Sequence, residues 1–200
     1  MALFPSYARN FQPYPERGAA FHALRPLLER LERVEFNFEV TNPAVNQGQL
    51  TSHFDVALER AIVQLGAKKV DIELPHPILK RYDFAFEFED LVVVVEIEKA
   101  NQEKILRDLL KCHMCLNSGA NFCIVALPTN YPHKVGTWNP YNFGLRQYRD
   151  CLAYGFGAPD KLERILLLGF ETYDAATDEP HSTRSRQEMR RQVSSQVVVV

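Results

Sequence analysis

Asp83, Glu96 and Glu98 stand around the most apolar stretch of the chain, in RYDFAFEFEDLVVVVEIEKANQEKILRDLLK (residues 81–111). Acidic residues are depleted in strands, yet Glu96 and Glu98 continue the valine run 92–95 without a break. Phe84, Phe86 and Phe88 alternate with Asp83, Ala85, Glu87 and Glu89, which predicts a strand over 82–88. A second, two-faced apolar strand follows over 91–97, with a tight turn at Glu89–Asp90. Antiparallel pairing around that turn puts Asp83 opposite Glu96, with Glu98 two residues on and on the same face. Glu–Asp is not a favoured pair for a type I′ turn, so a wider loop or a slipped register stays open. Like charges facing each other across a ladder are destabilising unless something positive lies between them. Mg²⁺ is the hard, oxygen-seeking ion that takes one or two carboxylates together with waters and a phosphate. The competing reading is a solvated sheet end, its acids paired with Arg81, Lys99 and Lys104.

Such a site needs a scaffold. Helical spacing of Ile105, Leu106, Leu109, Leu110, Met114 and Leu116 predicts a helix over 101–117 with that stripe buried, and NFCIVALP (121–128) reads as a buried strand. Upstream, FHALRPLLERLERV (21–34) is a helix distorted at Pro26 and VEFNFEV (34–40) a strand. A helix capped by Thr51 or Ser52 runs to about Leu65, with Gly66 as its stop, and KKVDIELP gives a short strand. Downstream come the long loop 129–143, a helix near 144–154 and the strand RILLLGF (164–170). This alternation predicts an α/β fold, a central mixed β-sheet flanked by helices, in which a hairpin leads into a strand–helix–strand crossover. A single domain spans 1–174; within it the Pro-, Tyr- and Phe-rich residues 1–20 read as an irregular arm. Residues 175–200 read as a flexible basic tail.

Asp83 followed by VEIEKANQEKILRDLLKCHMCLNSGANFCIVALP (95–128) resembles the PD-(D/E)xK nuclease core. The finer pattern is similar to the BamHI/BglII type of restriction endonuclease, in which a second glutamate stands where lysine is usual. LLLGFETY (166–173) resembles a later strand of the same enzymes. The residue before Asp83 is Tyr82 rather than the family's proline. The resemblance implies a restriction-endonuclease-like core and a Mg²⁺-dependent, sequence-specific double-strand endonuclease acting as a homodimer on a palindromic site in double-stranded DNA. It implies Asp83 and Glu96 as metal ligands and Glu98 as the group that orients water or accepts its proton. Lys99 is a rival for the lysine role, although strand alternation turns it to the opposite face. A fourth acid from a preceding helix falls on Glu59, against which stands its reading as a solvated helix-face residue near Arg60. Asn101, Lys104, Arg107 and Lys111, on the helix that starts beside the site, are the candidate DNA contacts. His133, Lys134 and Asn139 in the following loop, and Arg184, Arg186, Arg190 and Arg191 in the tail, could add to them. Two alternatives share the scaffold: a structure-specific or non-specific nuclease or toxin, and a non-catalytic DNA-binding subunit.

Composition sets broad limits. Among 200 residues a net charge of −2 does not mark a nucleic-acid binder, but a local basic face suffices for one. Cys112, Cys115, Cys123 and Cys151 lie in apolar segments without framework spacing and read as reduced core thiols. No basic start leads into an unbroken apolar core, and no apolar run approaches the ~20 residues of a membrane span. The expected location is the cytoplasm.

Overall fold

The computed structural model describes residues 3–34, 36–41, 51–74, 82–99, 101–133, 136–155 and 158–182. In chain order these form β1 (Leu3–Tyr14), α1 (Ala19–Leu31), β2 (Phe36–Thr41), β3 (Thr51–Ser52), α2 (Phe54–Gln64), β4 (Lys68–Val70), β5 (Phe84–Phe88) and β6 (Leu91–Ile97). Then follow α3 (Gln102–Asn117), β7 (Phe122–Pro128), β8 (Tyr131–His133), β9 (Gly136–Trp138), α4 (Pro140–Ala153), α5 (Pro159–Leu162), β10 (Ile165–Asp174) and β11 (Glu179–Pro180). One sheet runs in the order β3-β2-β1-β10-β7-β6-β5-β4, with β11 added beside β10, while β8 and β9 form a separate hairpin. β6, β7 and β10 are parallel; β5, β1 and the outer strands run antiparallel. The chain is α/β, a mixed sheet flanked by helices.

Alternation along the central strands divides the core into two layers. Val93, Val95, Ile124, Ala126, Leu166 and Leu168 pack with α1 and α2 on one face. Val94, Cys123, Val125, Ile165 and Leu167 pack with α3, α4 and α5 on the other. Gly169 lets α4 lie close to the sheet: a Cβ there would meet the Tyr141 ring at 3.0 Å. All four cysteines are buried and free. Among the described residues no helix is long and apolar enough to cross a membrane.

Several expectations need correction. Thr51 and Ser52 form β3, and His53 is the N-cap of α2; the loop 129–143 holds β8, β9 and the start of α4. The irregular arm is instead β1, paired between β2 and β10. Its prolines and a register break between Arg9 and Gln12, with Asn10 at φ 57°, disguise the alternation that buries Ser6 and Ala8. The start of the tail is also structured. β11 pairs with β10, and His181, buried, donates its backbone N–H to Thr172 and meets Ser6 Oγ at 3.2 Å through Nε2; Arg184, Arg186, Arg190 and Arg191 lie outside the described residues. Finally, α3 is rotated from its expected stripe. Ile105, Leu109, Cys112, Cys115 and Leu116 face the sheet, whereas Leu106 and Leu110 are 38% and 39% exposed. A helix apolar on several sides takes its orientation from its partner, and here two charged residues, Asp108 and Lys111, turn inward with the core.

Two expected outcomes arise from these details. Burial pushes the His181 imidazole below its usual range, against the opposing influence of Asp174 and the backbone at Tyr173. The folded chain therefore binds that proton less readily than the unfolded chain. The contribution of neutral His181 is full above the unfolded value near ~6.5 and is lost as pH falls through the lower folded value. His181→Gln should flatten the fall in thermal stability between neutral and mildly acidic pH; a profile parallel to wild type would remove His181 from the account. The β5–β6 turn supplies the second. Glu89 and Asp90 both have positive φ, 49° and 63°, the type I′ geometry for which Asn–Gly is suited. Glu89→Asn with Asp90→Gly should stabilise the chain by about 1 kcal/mol in urea denaturation.

Candidate active site

The hairpin holds the register that brings the acids together. Phe84 faces Val95 and Phe88 faces Leu91, so one further step sets Asp83 opposite Glu96. Asp83 Oδ2 accepts the Ile97 N–H at 2.6 Å, and Glu98 N–H donates to Ala126 O at 3.2 Å, carrying β6 pairing one residue beyond the strand. Ala85 and Val94 belong to the α3 side of the core. By alternation Asp83, Glu96 and Glu98 share that face.

From α3 two further charges enter the same space. Lys111 Nζ donates to Glu96 Oε2 at 2.6 Å and lies 3.7 Å from Asp108 Oδ1. Glu96, Asp108 and Lys111 are 3%, 4% and 6% exposed, so the trio belongs to the interior, where an ion pair must offset a large desolvation cost. Glu98, also buried, accepts the Asn101 N–H at 2.9 Å through Oε1, and Lys104 Nζ approaches its Oε2 to 3.8 Å.

Burial dominates the electrostatics. It pushes Glu96 up to about 8 despite the hydrogen bond and charge of Lys111, with Asp108 and Asp83 adding to the rise. It pushes Asp108 up to about 6, with Lys111 opposing and Glu98 reinforcing. Asp83 is raised by burial against the restraint of the Ile97 N–H and Lys111. Burial alone would lower Lys111; the Glu96 hydrogen bond and the charges of Glu96, Asp108 and Asp83 more than reverse it, so the ammonium is retained. A pocket this rich in acids favours any added positive charge.

Whether a cation fits can be judged from the donors. Glu96 Oε1 is buried and has no hydrogen-bond partner among the described residues. A buried acceptor left that way is costly, and an oxygen-seeking cation is one group that would satisfy it. The described residues contain no group of three or more His, Cys, Asp or Glu side chains able to hold a metal by themselves. A closed protein cage is therefore excluded for them, but Asp83 with Glu96 matches the habit of Mg²⁺, which keeps several waters and uses few carboxylates. The donor set fits such an ion.

The remaining candidates separate clearly. Lys99 Nζ donates to Asp55 Oδ1 on α2 at 3.1 Å, toward the opposite face. Glu59 pairs with Lys69 on β4 at 2.5 Å. Asn101 caps α3, its Oδ1 accepting the Glu103 N–H at 3.0 Å; Asn101, Lys104 and Arg107 are exposed on the first turns of that helix. Lys111, expected to face DNA, is instead the buried partner of Glu96, because only an interior cation offsets the acids there. Asn139 caps α4 by accepting the Asn142 N–H at 2.8 Å; His133 lies in the β8–β9 hairpin, and Lys134 lies outside the described residues. Sequence reasoning missed Asp108 and Asp55. The signal for Asp108 is its i,i+3 spacing to Lys111; Asp55, whose charge reaches Asp83, precedes Glu59 by one helical turn.

No family model matches the chain, and no curated protein matches it. Among solved structures, that of free BglII is similar at 16% identity and a TM-score of 0.43, over 84% of this chain and 79% of that one. A likeness of that degree says nothing of activity or substrate.

Proposed function

We propose that this chain is a Mg²⁺-dependent, sequence-specific double-strand DNA endonuclease of the type II restriction kind, working as a homodimer with one active site per strand. One observation carries the reading: the hairpin register sets Asp83 opposite Glu96 at the end of a buried sheet, and Glu96 Oε1 is buried without a hydrogen-bond partner among the described residues. The motif resemblance of 83–128 adds the family expectation. Asp83 and Glu96 are the residues that would hold the cation. When bound, such an ion polarises a phosphodiester and makes a water more acidic. Glu98 Oε2 takes the proton of the attacking water, while its Oε1 stays anchored on the Asn101 N–H. In this reading Asn101, Lys104 and Arg107, exposed at the start of α3, contact the duplex; Arg suits a guanine edge and Asn an adenine edge. Two sites related by a two-fold axis are needed to cut both strands of a palindrome.

The test is incubation of the purified chain with long unmethylated duplex DNA in Mg²⁺ or EDTA, beside Glu96→Ala. Discrete fragments that require Mg²⁺ and vanish in the variant are the expected result. A metal-dependent smear would replace sequence specificity with a non-specific nuclease. Binding without cleavage under any divalent ion would leave a non-catalytic DNA-binding subunit.

A further inference from the structure

The proposed chemistry does not use Lys111 or Asp108, yet both are charged, interior and three residues apart on α3. Lys111 Nζ sits on Glu96 Oε2 at 2.6 Å, with Asp108 Oδ1 waiting at 3.7 Å. A movement of about an ångström would make Asp108 the hydrogen-bonded partner in place of Glu96. The ammonium thus lies between two acids, one of which belongs to the proposed metal pair. The other faces no cation at hydrogen-bond distance among the described ion pairs.

We infer that Lys111 competes with the divalent cation for Glu96, and that Asp108 receives the ammonium when it yields. This rests on the metal-dependent reading above. A divalent ion beside Glu96 and an ammonium on the same carboxylate repel each other strongly in a low-dielectric interior, so full occupancy of both is disfavoured. Without a second acid the displaced ammonium would be stranded, because an unpaired buried charge is not tolerated. Asp108 removes that penalty. Lys111 and Asp108 are therefore positioning residues: they set how readily the cation is admitted and keep the acids compensated in its absence. Neither is required to touch the reacting phosphate.

The probe is Mn²⁺ alone, titrated into the DNA-free chain while free ion is followed by electron paramagnetic resonance. Wild type, Glu96→Ala, Lys111→Met and Asp108→Asn are compared at one pH, with circular dichroism confirming that each is folded. Lys111→Met should bind Mn²⁺ at least tenfold more tightly than wild type, since the competitor is gone. Asp108→Asn should bind about 10–100-fold more weakly, the range typical of supporting groups around a metal site. A purely structural role for Lys111 would loosen binding instead of tightening it. If Lys111→Met does not fold, Asp108→Asn decides alone. Unchanged affinity in Asp108→Asn, or unchanged or weaker affinity in folded Lys111→Met, overturns the competition. If wild type binds while Glu96→Ala does not, such a result leaves the metal-dependent reading standing. Absence of Mn²⁺ binding by wild type overturns both together.

Discussion

Glu98→Gln should leave duplex affinity unchanged and lower the rate of strand cleavage by about 10²–10⁴-fold, the usual cost of losing a positioned proton acceptor. The substitution preserves shape, and the amide oxygen can still accept the Asn101 N–H that Glu98 Oε1 accepts at 2.9 Å. What goes is the carboxylate's ability to take a proton. Single-turnover cleavage in Mg²⁺, with fluorescence anisotropy for binding, separates the two quantities. Lys99→Ala is the matching control. Its ammonium is directed to Asp55 on the opposite face of the sheet, so its removal should alter the cleavage rate far less. If Glu98→Gln cut at the wild-type rate while Lys99→Ala did not, the proton acceptor would have been misassigned and the lysine at the end of β6 would take its place. Loss of binding in Glu98→Gln would instead give Glu98 a role in holding α3 against the sheet.

The hairpin was legible because period-two alternation of aromatic and acidic residues has few other interpretations. The register also came through, with Phe84 opposite Val95, even though Glu89–Asp90 is a poor pair for the positive φ angles it adopts. Pairing across two apolar strands outweighed the turn's own preference: a one-residue slip would have exchanged every buried side chain for its neighbour. β1 escaped notice for the opposite reason. Proline at ladder positions argues against an interior strand, and the break between Arg9 and Gln12 interrupts its alternation. Only β2 and β10, distant in sequence, reveal that the segment is paired on both sides.

The site divides along the same line. The common face of Asp83, Glu96 and Glu98 was readable because all lie in or next to one hairpin, where local geometry fixes it. Lys111 and Asp108 were not, because their meaning depends on which side of α3 turns inward. Ile105, Leu106, Leu109 and Leu110 offer apolar groups on more than one side of the helix. The choice is made by packing of Ile105, Leu109 and Cys112 against distant strands of the sheet, which periodicity within α3 does not contain.

Lys111→Ala is the single substitution with the largest expected cost in stability, about 3–5 kcal/mol, because it leaves buried acids without their cation. Glu96, Asp108 and Lys111 are all nearly inaccessible to water, so little solvent can compensate. Urea denaturation with an unchanged slope is the check. The informative comparison is a triple replacement, Glu96→Met, Asp108→Leu and Lys111→Leu, which removes the acids along with the ammonium. Apolar replacement of a whole buried ionic triad is often neutral or stabilising by about 1–4 kcal/mol. The triple variant should recover wild-type stability or exceed it, while losing any cleavage that depends on Glu96. Recovery would mean that the charges are kept at the expense of stability and answer to chemistry. A triple variant as unstable as Lys111→Ala would mean that the network itself orients α3 on the sheet, and a structural role would then account for the burial of Lys111.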